Sequence, residues 1–125
     1  MLLVEEKPDF EFYLRGADGR EAWVNDRRLV RSFIVSPSRL IEDWPVPNPD
    51  SLVEATLAPL LSLAPEVVLL GTGARQAFPP PAAMAAFLTR GIGIECMANA
   101  AAARTYDVLA GEGRQVVAGF ILPGG

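Results

Sequence analysis

The chain has 125 residues, of which half are apolar, and its net charge at pH 7 is −4. This length predicts one domain that buries roughly two-thirds of the surface its unfolded chain exposes, and the apolar content excludes an intrinsically disordered chain. Because an acidic chain repels a polyanion, we expect no nucleic-acid partner.

The histidine and cysteine content removes several chemistries. The chain has no histidine, which excludes histidine-based metal sites and Ser/His or Cys/His catalysis within it. Cys96 is the only thiol, so no intramolecular disulfide can form, as is usual in a reducing compartment. Because no base accompanies it, we interpret Cys96 as a small buried apolar residue. We therefore expect no catalytic residue, no metal and no cofactor.

The first 44 residues are predicted to be rich in β-strands joined by short turns. Phe10, Phe12 and Leu14 alternate with polar residues, as in a half-buried strand. The six arginines between Arg15 and Arg39 predict either a solvated hairpin face or a basic patch for an acidic partner or lipid headgroups. In chain order we expect a strand at 10–14, a turn at 16–19, a return strand at 21–24, a turn at 25–26 and a buried strand at 29–35.

A proline-rich connector and a helix follow. Residues 44–50 hold three prolines and predict an extended connector, which Trp44 anchors by burying its ring. Ser51 and Glu54 match a capping box at the start of a helix. Pro59 predicts that this helix is short or bent and ends near Leu63.

The second half of the chain predicts two consecutive strand–helix–strand units, which imply parallel strands joined by right-handed crossovers. We therefore expect one α/β domain over residues 1–125, with a mixed central sheet, flanking helices and N-terminal antiparallel hairpins. Its parallel strands are predicted near 66–70, 92–95 and 114–122. The helices are predicted at 81–90, with Ala83, Met84, Phe87 and Leu88 on one face, and at 98–110, with Ala98, Ala101, Ala102, Thr105 and Leu109 inward.

The turn Gly71-Thr72-Gly73 is the main candidate binding site. Backbone amides of a glycine turn after a buried strand can approach an anion closely. Arg75 follows it, and Glu95 is expected at the same edge, because ligands bind beyond the carboxyl ends of parallel strands. A dinucleotide is disfavoured, because Gln76 stands where a third glycine is needed and three prolines delay the helix. A small-anion site and a purely structural turn both stay open.

The segment from 66 to 122 carries a distinctive set of residues: Gly71-Thr72-Gly73, Gly91-Ile92, Glu95, Met97, Arg104-Thr105-Tyr106, Leu109 and Glu112-Gly113-Arg114. With these residues the segment resembles the small α/β family that includes mitochondrial complex I assembly factor 3 and the adipogenesis-associated Mth-domain protein. The resemblance implies a mixed sheet with helices on its faces and no enzyme activity, and the mitochondrial relatives assemble a respiratory complex at the inner membrane. The family pattern commonly has asparagine where this chain has Asp107.

The resemblance implies a non-enzymatic domain that binds another protein, as an assembly or stability factor for a respiratory or other membrane-associated complex. The alternative is a small-molecule or anion-binding protein, or an enzyme, that uses the Gly71–Gly73 loop. A protein-binding domain should expose an apolar patch around Phe78, whereas a ligand site should form a closed concavity. The early glutamates Glu5 and Glu6 are unlike an export signal, so we expect a cytoplasmic protein without membrane insertion, peripheral association staying open.

Overall fold

A computed structural model describes residues 8–124, which form a five-stranded sheet, a three-stranded sheet and three α-helices. The predicted absence of an export signal concerns residues 1–7 and lies outside this range. The strands are β1 (Leu14–Ala17), β2 (Ala22–Val24), β3 (Arg27–Leu29), β4 (Arg31–Val35), β5 (Leu40–Ile41), β6 (Val67–Gly71), β7 (Gly93–Met97) and β8 (Val116–Pro123); the helices are α1 (Glu54–Ser62), α2 (Pro81–Leu88) and α3 (Asn99–Gly111).

The five-stranded sheet confirms the predicted mixed α/β fold. Its strand order is β5-β4-β8-β6-β7, with β6 parallel to both β7 and β8. All five residues of β6 are buried, because the strand is covered by neighbours on both edges and by helices on both faces. The three parallel strands lie within one or two residues of the predicted ranges.

The N-terminal strands divide between the two sheets. β1, β2 and β3 form an antiparallel sheet of their own, while β4 and β5 extend the large sheet in antiparallel fashion. The prediction of one strand over 29–35 is therefore wrong, because the chain changes sheets at the exposed Val30. The predicted strand at 10–14 is also misplaced, because β1 begins only at Leu14. Phe10 and Phe12 precede it and lie against Tyr106, whose hydroxyl donates to the Phe12 carbonyl at 2.7 Å.

Two apolar layers cover the large sheet. On one face Leu69 and Ala118 pack with the α3 side chains and with the three-stranded sheet. On the other face Leu70 packs with α1, α2 and the connector. Among residues 8–124, no helix combines the length and apolar character that crossing a bilayer needs.

The predictions for all three helices are corrected. The predicted capping box on Ser51 is wrong: α1 begins at Glu54, and the Val53 amide donates to the Thr56 hydroxyl at 2.9 Å. Ser51 belongs instead to the preceding 3-10 turn. The inward face of α3 is rotated from the prediction, because alanines on several sides make its apolar pattern ambiguous. Its buried residues are Asn99, Ala102, Ala103, Tyr106 and Ala110. On α2, Ala83 and Phe87 are buried and Leu88 is exposed.

Trp44 anchors the connector to the centre of the sheet, as predicted. Its side chain is 1% exposed, and its indole nitrogen donates to the Thr56 carbonyl at 2.9 Å. The ring lies over Gly119 in β8, where an added Cβ would come within 2.6 Å of the Trp44 Cη2 atom. A glycine is therefore required at this position for the indole to reach the sheet.

We expect Gly119→Ala to lower the free energy of unfolding by about 2 kcal/mol, because the indole must be displaced from a closely packed layer. Urea denaturation measures this difference. Gly16→Ala is the matched control, since an added Cβ at Gly16 meets no atom within 4 Å. Equal stability of the two variants would contradict the proposed packing role of Gly119.

Candidate functional site

The turn after β6 is held by side chains of its own loop. Gly71 ends the strand, and the buried Thr72 follows it. The Thr72 hydroxyl donates to the Arg75 carbonyl at 2.8 Å and accepts from the Ala77 amide at 2.9 Å. The first part of the loop is therefore closed by bonds within residues 72–77.

Asn99, the first residue of α3, holds the turn against the rest of the domain. Its side-chain oxygen accepts a hydrogen bond from the Gly73 backbone amide at 3.1 Å, and the Asn99 backbone amide donates to the Gly73 carbonyl at 2.8 Å. The side-chain nitrogen donates to the carbonyls of Asp18 and Ile121 at 2.9 and 3.0 Å. An added Cβ at Gly71 would overlap the Asn99 oxygen. Our sequence reasoning missed Asn99, although a polar residue after a buried strand was a usable signal.

These bonds bear directly on the predicted anion site. The Gly73 amide donates to Asn99, and the Thr72 amide donates to the Met97 carbonyl at 3.0 Å. Two of the backbone donors expected to meet a ligand therefore already bond within the protein. Arg75 is exposed in the loop after β6, whereas Glu95 is exposed in the middle of β7, opposite Leu69, and not beyond the carboxyl ends of the strands as expected. No ion pair within residues 8–124 joins Arg75 and Glu95. Ligand binding by Gly71, Thr72, Gly73, Arg75 and Glu95 stays a prediction.

A groove lies at the opposite end of the parallel strands from the predicted turn. It is an open groove of about 940 Å³ beside the end of α3 and the start of β8, and none of the five predicted residues lines it. Arg114 lies in its wall and pairs with Glu66, at 3.4 Å between nitrogen and oxygen. Its apolar lining includes Phe10, Pro37, Leu63, Ala64, Ala110, Val116 and Val117.

Asp107 is the partly buried carboxylate of this groove. One of its oxygens accepts from the Leu14 amide at 2.8 Å, which ties α3 to β1. Burial raises the pKa of Asp107, and the hydrogen bond from Leu14 opposes that change. The neighbouring Tyr106 is buried and donates to Phe12; burial raises its pKa far above the ordinary value, and the Asp107 charge adds to this effect. Tyr106 therefore serves as a protonated structural donor.

Cys96 is held in an unreactive state. Burial raises the pKa of its thiol, and the nearby Glu95 carboxylate raises it further, so the nucleophilic thiolate is disfavoured. The sulfur lies 3.9 Å from the Met84 sulfur in the apolar layer under α2. Within residues 8–124, no three or more acidic or cysteine side chains gather closely enough to hold a metal ion.

The last part of the loop presents an exposed aromatic ring. Gln76 donates from its side-chain nitrogen to the Cys96 carbonyl at 2.8 Å, which places the loop beside strand β7. Two residues later Phe78 is 69% exposed, while the adjacent Pro79 is buried. Phe78 is therefore a single exposed apolar side chain on a loop that is anchored on both sides, by the Gln76 bond and by the prolines that open α2.

We expect Asn99→Ala to lower the free energy of unfolding by about 3 kcal/mol, because it leaves the Gly73 amide and two carbonyls without their partner. Urea denaturation tests this expectation. Asn48→Ala is the matched control, since Asn48 is exposed and, among residues 8–124, its side chain bonds only to Ser51, at 3.3 Å. A loss for Asn99→Ala no larger than for Asn48→Ala would argue against a central role.

We expect Asp107→Asn to stabilise the protein at pH 7, because asparagine keeps the acceptor for Leu14 without the cost of a partly buried charge. The raised folded-state pKa means that the folded carboxyl keeps its proton to a higher pH than the unfolded one. The free energy of unfolding therefore falls as pH rises from the ordinary pKa of the carboxyl to its raised pKa in the folded state. The gain of the variant should disappear below the ordinary pKa of 3.8.

Thermal unfolding of the wild type and Asp107→Asn across this pH range measures the effect. Asp43→Asn removes an exposed carboxylate and serves as the control. A stabilisation by Asp107→Asn that persists undiminished at pH 3 would show that the charge is not its cause.

Comparison with proteins of known sequence and structure relates the whole chain to others. A Xanthomonas campestris protein whose structure was determined by NMR is 54% identical, with a TM-score of 0.84, and the match covers 99% of this chain and 94% of that chain. The "13 kDa major membrane protein" of Francisella tularensis subsp. holarctica (strain LVS) is 30% identical over 121 residues, which are 93% of this chain and 95% of that protein.

NADH dehydrogenase (ubiquinone) 1 alpha subcomplex assembly factor 3 of Bos taurus is 29% identical over 126 residues, covering 99% of this chain and 67% of that protein. This similarity confirms the predicted relation to complex I assembly factor 3. A family model described as "Protein of unknown function (DUF498/DUF598)" matches residues 14–121. The chain therefore belongs to the DUF498/DUF598 family.

Proposed function

We propose that this domain is a non-catalytic protein-binding module that acts as an assembly or stability factor for a membrane-associated complex. In this proposal it works on the cytoplasmic side and associates with the membrane peripherally, through its protein partner.

The similarities to the two curated relatives support the class of function. The bovine relative is named as an assembly factor of NADH dehydrogenase, and the similarity covers nearly the whole of this chain. The Francisella relative is named as a membrane protein and is matched along almost its whole length. A role in building or stabilising a complex at a membrane is compatible with both names.

The exposed ring of Phe78 is the observation that carries the proposal. Its loop is anchored on one side by the Thr72 hydroxyl bonds and the Gln76 bond to Cys96, and on the other by the prolines that open α2. A partner that binds a ring on an anchored loop need not order that loop, so its binding costs less conformational entropy than binding to a mobile loop. Aromatic residues that fill a partner's pocket carry much of the energy of protein interfaces.

The state of the reactive side chains is also consistent with a binding role. Burial raises the pKa of both Cys96 and Tyr106, which keeps both groups protonated near neutral pH. Both side chains then contribute packing or hydrogen bonds to the scaffold rather than nucleophilic or basic groups.

We expect Phe78→Ala to reduce, at least about tenfold, the amount of partner protein that copurifies with the tagged protein from its native host. Truncating a central aromatic anchor commonly costs about 2 kcal/mol or more of binding free energy, which is roughly a thirtyfold change in affinity. Affinity purification with quantitative mass spectrometry measures it. Val108→Ala is the matched control, since Val108 is 60% exposed on α3. Should wild type, Phe78→Ala and Val108→Ala all recover the same proteins in equal amounts, the proposal fails.

A further inference from the structure

Strand β7 ends the five-stranded sheet, so one side of its backbone has no neighbouring strand within residues 8–124. The Gly93 amide donates to the Glu66 carbonyl, and the Met97 carbonyl accepts from Thr72, so both residues face β6. Because backbone groups alternate along a strand, Glu95 also faces β6, while Ile94 and Cys96 point their amides and carbonyls outward.

The loop covers only one of these outward groups. Gln76 donates to the Cys96 carbonyl at 2.8 Å, on the side away from β6. No hydrogen bond within residues 8–124 engages the Ile94 amide, the Ile94 carbonyl or the Cys96 amide; Ile94 is partly buried and Cys96 is buried. Such an edge is a ready template for another strand unless the protein covers it. Here the Gln76 side chain bonds to its carboxyl end.

The charge of the edge indicates what kind of strand fits. Glu95 lies in the middle of β7 and is exposed, and no cationic group lies within 4 Å of it in the part of the chain that the structure describes. Opposite charges on directly facing residues of paired strands stabilise the pair, and like charges destabilise it. A strand with lysine or arginine opposite Glu95 therefore complements this edge.

We propose that β7 is a docking edge that takes up an antiparallel strand from a partner protein, with a basic residue of that strand facing Glu95. The inference rests on the proposed protein-binding function and supplies its binding mode. In the antiparallel arrangement Ile94 exchanges both its backbone bonds with one partner residue. Phe78, two residues beyond Gln76, then borders the added strand at its end near Cys96.

A second copy of this chain is a poorer occupant of the edge. The antiparallel register that uses most outward groups places Ile94 of one copy against Cys96 of the other. That register puts the two Glu95 side chains directly opposite each other, and this arrangement is destabilising. The charge pattern thus selects a basic segment of a different protein.

Short synthetic peptides test the edge without a known partner. The probe is an extended peptide in which valine and lysine alternate, added to the isotope-labelled full chain and followed by NMR. We expect it to slow amide hydrogen exchange at Ile94 and Cys96, with no comparable change at Glu95, whose amide already bonds to β6. A peptide in which valine and glutamate alternate should bind about threefold more weakly or worse.

Three variants sharpen the test. Ile94→Pro removes an outward amide at a position where an edge strand tolerates proline, and should weaken binding about tenfold. Gln76→Ala frees the Cys96 carbonyl and should strengthen binding about threefold. Val108→Ala should bind as the wild type does. Because Ile94→Pro tests the edge only if it folds, a peptide N-methylated on its bonding amides provides the same test with the wild-type protein.

Peptide-induced changes confined to residues outside β7 and the Gln76–Phe78 loop, or equal binding by the wild type and a folded Ile94→Pro, would overturn strand addition. The same variants separate this inference from the proposed function. If Phe78→Ala loses a copurifying protein that Ile94→Pro still recovers fully, the domain binds proteins but not through this edge. If the lysine peptide binds β7 while Phe78→Ala recovers every protein that the wild type recovers, strand addition at β7 is supported and the proposed role of Phe78 is contradicted.

Discussion

The Asn99 side chain connects three parts of the chain that are far apart in sequence: the turn after β6, the loop before β2 and the end of β8. It is fully buried, and both its oxygen and its nitrogen are bonded, to Gly73, Asp18 and Ile121. A buried amide is costly when any of its bonds is lost, so this arrangement strongly favours a single geometry. The position of the loop that carries Gln76 and Phe78 depends on it.

The two faces of the large sheet are held by different means. Under α3 the small side chains Ala102 and Ala103 let the helix lie close to the strands, and Tyr106 and Asp107 then reach the N-terminal segment with hydrogen bonds. On the other face, the bulky Trp44 ring lies against a residue without a side chain, Gly119. Both solutions bury polar atoms only where each has a partner, and no buried side-chain nitrogen or oxygen in the described residues is left without one.

The predicted turn and the loop that carries Phe78 lie at the carboxyl ends of the parallel strands, beside the free edge of β7, and the groove lies at the opposite ends. At the first end the amides of Thr72 and Gly73 serve the fold, while the ring of Phe78 is exposed and one side of β7 has no neighbouring strand in the described residues. A surface of backbone donors and acceptors beside an aromatic ring suits contact with an extended segment of another protein. The proposed protein-binding role uses this end of the domain.

The sequence by itself determined the alternation of strands and helices after residue 66, because continuous apolar runs and glycine caps are local signals that burial on both sides reinforces. It also determined that Trp44 is buried. Only the tertiary structure decided the break at Val30 and the inward face of α3, because both depend on which sheet or strand a segment meets, and alanines alone do not distinguish one helix face from another. The role of Asn99 was likewise set by tertiary structure, since its partners lie up to 81 residues away along the chain. A single buried amide has no periodicity from which those partners could be inferred.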